Sequence, residues 1–304
     1  MDPASAPQPP EVSPPPPLPP EAGPAATRDA LPDAHEHAPP DAIILAAGKG
    51  KRMGSDRAKV LFEVAGRPMV CWVVKACGDA GVRRCVVVIG HGGDEVKSAL
   101  AGQPGVAFVE QAQQLGTGHA TRMAEPLFAG RTPTDVFVLA GDGPLLRATT
   151  LRKLLATHRH RRAAATLATA VIDDPSGYGR VLRDPAGGFR AIVEDKDASE
   201  QEKRVHEINP SYYCFRSDEL FAALAKVGND NSQGEYYVTD VPGLLKAEGK
   251  TVAVVDAVPA DDVLSINTPA QLAEVDRILR ARLSRQGAES TRRRTPAGAK
   301  GTDA

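Results

Sequence analysis

Positions 45–59 read LAAGKGKRMGSDRAK. Gly48, Gly50 and Gly54 are interleaved with Lys49, Lys51 and Arg52 within seven positions, and Lys59 closes the stretch. Glycines let backbone N–H groups converge on an anion, and the cations add charge, so phosphate is the ligand such a loop suits. A tight strand-to-helix turn with solvated cations is the competing reading. Arg52 can grip phosphate oxygens with its planar fork, and Lys59 can act as a point charge. The spacing is not Walker A, which needs four residues between its first glycine and Gly-Lys-Ser/Thr. It is not Gly-x-Gly-x-x-Gly either, because Met53 stands where the third glycine belongs.

Three other groups of residues could work beside phosphate. Asp142 follows the apolar run VFVLAG. A carboxylate there suits Mg2+, which takes one or two protein oxygens plus phosphate oxygens, although a turn would use it equally. Gln111 and Gln114 carry amides whose donors and acceptors can match a pyrimidine edge. Gly116 and Thr117 open a helical pattern, where N–H groups can meet a ligand and Thr117 can cap.

Stretches 42–47, 84–90, 106–110 and 135–141 must hold these residues in place. They are short, β-branched and nearly continuous in apolar residues, as in strands buried on both faces of a parallel sheet. Helical patterns lie between them at 67–79, 92–101 and 117–128. Such alternation predicts a right-handed α/β sheet, with ligands outside the carboxyl ends of its strands. Beyond residue 160 the rhythm predicts strands at 164–171, 206–215 and 251–257 and a hairpin over 179–194. Helices are expected at 218–227, 236–249 and 269–283. The whole reads as one α/β domain, 41–283, with a partly antiparallel second half.

Residues 1–40 hold 14 of the 26 prolines, with few aliphatic side chains. That composition cannot offset its ordering entropy, so the segment reads as a disordered or polyproline arm, with docking to a partner as the alternative. Residues 284–304, with their Arg292–Arg294 run, read as a second tail. The formal net charge of −1 gives no field to recruit nucleic acid or an anionic membrane. No apolar run approaches the ~20 residues of a membrane span, and the N-terminus lacks a signal-peptide pattern. The four cysteines show no C-x-x-C spacing and read as reduced thiols of a cytoplasmic protein.

The opening loop continues as LAAGKGKRMGSDRAKVLFEVAGRPMV. It is followed by EQAQQLGTGHA (110–120), LAGDGPLL (139–146), DDPSGYGRV (173–181), AIVEDKDAS (191–199), EIN (207–209), NDNSQGEYYVTD (229–240) and SINTPAQL (265–272). In this order the segments resemble the motif series of the sugar nucleotidyltransferases. The nearest likeness is the pyrophosphorylase half of the bifunctional bacterial uridyltransferase/acetyltransferases, over about 41–282. The resemblance implies a Rossmann-like nucleotidyltransferase fold with a mixed, mostly parallel sheet flanked by helices. It implies Mg2+-dependent transfer of uridylyl from UTP to N-acetylglucosamine 1-phosphate, releasing pyrophosphate and making a cell-wall precursor.

By the same resemblance, Leu45, Ala46, Ala47, Gly48, Lys59, Gln111, Gln114, Gly116 and Thr117 hold the nucleotide. Gly141, Gly179, Glu194 and Asn209 form the sugar pocket, with Tyr178 and Lys196 as further candidates. Asp142 and Asn267 hold the metal, although Asn267 alone could cap the helix that Pro269 opens. Arg52, Lys59 and Asp142 are the catalytic set, while His119 reads as an ordinary helix residue. The hexapeptide β-helix of those enzymes has no counterpart, so no acetyltransferase activity is expected.

Three departures bear on the substrate. Ala140 stands where the family has tyrosine, Pro210-Ser211 where it has Thr-Gly, and Ala58 where it has proline. They keep open the same chemistry on another sugar 1-phosphate or with dTTP. A nucleotide-binding regulator without catalysis is the rival from another class. It would need a broken metal pair or a missing phosphate lysine, and Asp142, Asn267 and Lys59 are all present.

Overall fold

The computed structural model of the chain describes residues 38–50, 55–264 and 266–294. All of them belong to the unit His35–Ala304. The expectation for the proline-rich segment therefore lies outside the described residues, apart from 38–40, and so does that for 295–304.

Ten strands form one mixed sheet. In chain order they are β1 (Asp41–Ala46), β4 (Arg84–Ile89), β5 (Val106–Glu110), β6 (Asp135–Ala140), β7 (Ala165–Val171), β8 (Gly179–Arg183), β9 (Phe189–Val193), β10 (Glu207–Asn209), β11 (Tyr212–Arg216) and β12 (Val252–Asp256). β2 (Glu63–Val64) and β3 (Arg67–Pro68) make a separate two-stranded ribbon. The sheet order is β5-β4-β1-β6-β11-β7-β10-β8-β9, with β12 beside β7. β1 pairs in parallel with both β4 and β6, and β11 pairs antiparallel with β6 and β7. Only β9, β10 and β11 run against the other strands. The chain leaves β1 toward β4 and β5, then returns to add β6 on the other side of β1. The carboxyl ends of β1 and β6 thus flank a topological switch point, where sheets of this kind open a crevice.

Helices cover both faces. They are α1 (Met69–Asp79), α2 (Gly93–Ala99), α3 (Thr117–Arg122), α4 (Ala148–His160), α5 (Ser217–Leu224), α6 (Val241–Ala247) and α7 (Pro269–Arg294). Ala42 and Ile44 of β1 enter one apolar cluster with Val70 and Val73 of α1 and Leu151 and Leu154 of α4. Ile43 enters a second cluster with Leu220 and Leu224 of α5 and Val241 and Leu245 of α6. Burial on both faces is why β1 shows no polar alternation. A third cluster packs Val275 and Leu279 of α7 onto Val64, Met69 and Trp72.

Four expectations change at the level of elements. α4 was not anticipated: its buried Thr150, Leu151, Leu154 and His158 leave only a narrow apolar stripe in a polar segment. The single strand expected at 206–215 is two, because Pro210 cannot donate to a ladder and Ser211 turns the chain at φ 63°. The helix expected at 236–249 begins as a 3-10 turn, Val238–Asp240, before α6. α7 runs to Arg294, well past residue 283 where a tail was expected to begin.

Candidate active site

A cleft of about 1120 Å³ opens at the carboxyl ends of β1, β6, β9 and β10 and the amino end of β8. It is lined by Leu45, Ala47, Gly48, Lys59, Gln111, Gln114, Gly116, Thr117, Asp142, Gly179, Glu194, Asn209 and Asn267. The candidates drawn from the sequence for nucleotide, sugar and metal therefore converge, with three exceptions. Arg52 lies outside the described residues. Ala46 is fully buried within β1, beneath the cleft wall. Gly141 is also buried; its N–H donates to the Leu45 carbonyl at 2.9 Å, and a Cβ there would meet that oxygen at 2.7 Å. The sequence reading put Gly141 against sugar; here it lets the β6 chain close on β1.

The loop after β1 is shaped by one such approach. Gly50 has φ +59°, and a Cβ on it would lie 3.1 Å from Lys59 Cβ. Lys59 N–H reaches the Gly48 carbonyl at 3.4 Å. The loop folds back on the lysine, and the lysine projects across the switch point.

Lys59 Nζ lies 2.7 Å from Asp142 Oδ2 and donates to Asn267 Oδ1 at 3.2 Å. Two hard oxygens, one anionic and one neutral, thus meet at a single cationic atom. Such a donor pair fits Mg2+, which completes its octahedron with phosphate oxygens and water. Among the described residues no group of three or more His, Cys, Asp or Glu side chains converges. Asn267 is held from its own helix. Gln271 Oε1 accepts the Asn267 N–H at 2.8 Å, and Gln271 N–H donates to Thr268 Oγ1 at 3.2 Å, in the manner of a capping box. The segment leading to it is pinned by Asp262, a buried carboxylate bonded to Arg147 and to Arg282 of α7.

On the β5 side, Gln114 Nε2 donates to the Ala47 carbonyl at 2.7 Å, joining the loop after β5 to the loop after β1. Gln111 Nε2 donates to the Gly116 carbonyl at 3.1 Å and faces His119 Nδ1 at 3.0 Å. His119 is thereby engaged within α3. Gly116 has φ +104°, and a Cβ on it would meet the Tyr236 carbonyl at 2.6 Å. Thr117 Oγ1 accepts the Val238 N–H at 3.1 Å. The loop that precedes α3 is clamped against the 235–238 segment, and Glu235, Val238 and Thr239 join the cleft lining.

At the far end Gly179 and Glu194 face each other across the β8–β9 hairpin, with a Gly179 Cβ position 3.6 Å from Glu194 Oε2. Thr239 Oγ1 donates to Glu194 Oε1 at 3.0 Å. Burial raises the Glu194 carboxyl above its ordinary value, the threonine opposes this, and neighbouring Asp240, Asp197 and Asp195 add to it. Asn209 is buried; its Nδ2 donates to the Tyr213 hydroxyl at 2.5 Å, and its Oδ1 accepts the Ser211 N–H at 3.1 Å. Tyr178 lines the cleft and donates to the Val263 carbonyl, whereas Lys196 turns outward to Gln233. Thr239, Tyr213 and Asp262 were not anticipated. Only the VTD of YYVTD offered a signal for the threonine, while Tyr213 looked like an ordinary strand residue.

A parallel switch point carrying a glycine loop, a lysine and two side-chain oxygens is an arrangement suited to a nucleotide-binding transferase of the α/β class. The chain belongs to the MobA-like NTP transferase family, whose model matches residues 42–238. It is 49% identical over 245 residues to the bifunctional protein GlmU of Heliobacterium modesticaldum, covering 81% of this chain and 53% of that protein. Against the bifunctional protein GlmU of Pelobacter propionicus it is 48% identical over 244 residues, covering 80% and 53%. The chain thus spans about half the length of these relatives. Its fold is also that of a UDP-glucose pyrophosphorylase solved with UDP-glucose, at TM-score 0.66 and 14% identity, over 81% of this chain and 100% of that one.

Proposed function

We propose that the chain transfers uridylyl from UTP to N-acetylglucosamine 1-phosphate, yielding UDP-N-acetylglucosamine and pyrophosphate. The observation that carries this reading is the meeting of Lys59, Asp142 and Asn267 at the switch point, in a cleft whose other end holds Gly179, Glu194 and Asn209. The identity to the GlmU proteins supports the choice of nucleotide and sugar.

An oxygen of the sugar phosphate attacks the α-phosphorus of UTP, and the bond to pyrophosphate breaks. Such a transfer asks for alignment and for neutralisation of charge on the phosphoryl oxygens rather than covalent help. Lys59 supplies a positive charge, and the backbone around Gly48 supplies N–H donors. Gln111 and Gln114, which line the cleft, would read the base. Glu194 accepts from sugar hydroxyls, and Gly179 lets the ring approach the backbone. Asp142 and Asn267 would hold Mg2+, which when bound draws charge from the phosphates. The Ala140 and Pro210-Ser211 departures favour a second reading, the same transfer with a different sugar 1-phosphate.

Pyrophosphate release, measured with Mg2+ and UTP or dTTP against a panel of sugar 1-phosphates, tests the proposal. Fast release with UTP and N-acetylglucosamine 1-phosphate is expected. Release only with another sugar would move the substrate and keep the mechanism. No release with any pair would leave a nucleotide-binding regulator.

A further inference from the structure

Tyr212 opens β11 and pairs with Leu139 of β6. The two strands are antiparallel, so this amino end of β11 lies beside the carboxyl end of β6, where Asp142 and Gly143 follow. The side chain packs into the apolar cluster that holds Ile44 and Leu139. Only 2% of the residue is exposed, and it lines the cleft together with Gly143. The hydroxyl sits against Gly143. A Cβ built on that glycine would lie 2.5 Å from the hydroxyl oxygen and 3.4 Å from the ring carbon that bears it. The missing side chain at 143 therefore makes room for a hydroxyl, and a phenylalanine at 212 would not need it.

Yet among the described residues nothing donates to this hydroxyl or accepts from it. The neighbouring tyrosines are used: Tyr213 receives the Asn209 amide, and Tyr178 donates to the Val263 carbonyl. A polar group held this deeply normally has a partner, because it has given up water. The free hydroxyl of Tyr212 points to a partner that arrives in the cleft, and a neutral phenol brings one proton to donate. Its position says which partner. On one side Asp142, next to Gly143 in the chain, meets Lys59 Nζ at 2.7 Å. On the other side Asn209 lies three residues before Tyr212, across the Pro210-Ser211 turn. The hydroxyl stands between the lysine–aspartate pair and the sugar end of the cleft. A sugar 1-phosphate that reaches from one to the other carries its phosphate past this point.

We propose that Tyr212 is a substrate-binding residue of the transfer, its hydroxyl donating to a phosphate oxygen of the sugar 1-phosphate. The inference rests on the sugar 1-phosphate reading above. The hydrogen bond aims the attacking phosphate and leaves the proton on the tyrosine.

The test compares wild type with Tyr212→Phe. Pyrophosphate release with Mg2+ gives kcat and KM for UTP and for N-acetylglucosamine 1-phosphate, and scanning calorimetry gives Tm. The substitution is expected to lower kcat/KM for the sugar 1-phosphate about tenfold or more, the scale of one hydrogen bond to a charged group, with KM for UTP within about twofold. Tm should be unchanged or higher, because no protein group loses a partner. Unchanged kcat/KM for the sugar 1-phosphate would overturn the inference. So would a loss confined to UTP, which places the hydroxyl on the nucleotide, and so would a lower Tm, which gives it to the fold. Weaker inhibition by free N-acetylglucosamine would move the hydroxyl from the phosphate to the sugar ring and overturn the assignment. Gly143→Ala checks the contact itself: it should lower Tm more in wild type than in the Tyr212→Phe background, where the hydroxyl is gone. Equal losses in the two backgrounds would remove the geometric basis. A wild type that releases no pyrophosphate with any sugar 1-phosphate overturns the underlying reading with it.

Discussion

Lys59 and Asn267 lie 208 positions apart, yet Asn267 meets the same Lys59 nitrogen as Asp142. The lysine side chain is 19% exposed and the aspartate 32%, so their attraction is partly screened and adds little to stability. On the proposed reading their placement serves phosphate chemistry instead. Lys59→Ala is expected to lower kcat about 100-fold or more, the scale for removing one preorganised charge from a developing oxyanion, with Tm within a few degrees of wild type. Stopped-flow or steady-state pyrophosphate release reads the first, and differential scanning calorimetry the second. An unchanged kcat would remove Lys59 from the reacting phosphates. Asp142→Asn keeps the shape of the side chain but takes away the only anionic member of the donor pair. It should weaken Mn2+ binding, measured by electron paramagnetic resonance, and abolish Mg2+-dependent turnover. Retention of both would end the metal assignment. Lys59 and Asp142 could be singled out in the sequence because each belongs to a motif in series, Lys59 just before an apolar run and Asp142 just after a buried strand. Tyr213 and Thr239 were not, since a tyrosine in a strand and a threonine before a helix show their roles only through what they touch.

The elements that hold these residues differ in how openly the sequence declares them. β1, β4 and β6 are buried on both faces, and their continuous apolar runs mark them almost to the residue; β5 shows a similar run but is the half-buried edge strand, not the doubly buried one expected. α4 is hidden because only Thr150, Leu151, Leu154 and His158 of its 13 residues are buried, and its core face includes His158 in place of an aliphatic residue. The split between β10 and β11 depends on backbone geometry at Pro210 and Ser211 rather than on hydrophobic pattern, and no periodicity reports that. The loop before α3 is the element most dependent on a single residue. Gly116 combines φ +104° with a Cβ position 2.6 Å from the Tyr236 carbonyl and 2.8 Å from Glu235 Cβ. Gly116→Ala must therefore push the 235–238 segment away or twist the loop. It is expected to cost about 1–3 kcal/mol, seen as a lower urea midpoint, and to raise KM for UTP more than KM for the sugar. Equal effects on the two substrates would mean that the clamp between this loop and the 235–238 segment serves the whole cleft rather than its nucleotide side. Among the described residues no helix is long and apolar enough to cross a membrane.

At the scale of the molecule the two ends of the sheet carry different duties. The cleft occupies the carboxyl ends of the parallel strands, and a buried ionic layer occupies the opposite ends, where β1 and β6 begin. Asp41 is gripped by Arg83 and Arg84. Asp135 is gripped by Arg159 at 2.6 Å and lies 3.6 Å from Nε2 of His158, whose Nδ1 faces the Thr166 hydroxyl at 2.9 Å. Burial lowers the His158 pKa from 6.5 to about 4; Asp135 opposes this, and Arg216 and Arg159 reinforce it. Above pH 6.5 the imidazole is neutral in folded and unfolded chains alike and costs nothing. As pH falls from 6.5 toward 4 the unfolded chain takes up a proton that the folded chain refuses, so stability declines across that window and levels off below it. A shift of this size corresponds to roughly 3 kcal/mol lost between neutral pH and pH 4. Urea midpoints at pH 7.5, 6 and 5 should therefore fall progressively for wild type. His158→Gln, which retains a polar side chain beside Thr166 but does not titrate, should start lower at pH 7.5 and fall less steeply. Parallel slopes for the two proteins would show that the acid sensitivity resides in the carboxylates that titrate over the same range. Because His158 sits on the side of the sheet away from the cleft, KM for UTP measured within the folded range is expected to be the same in both.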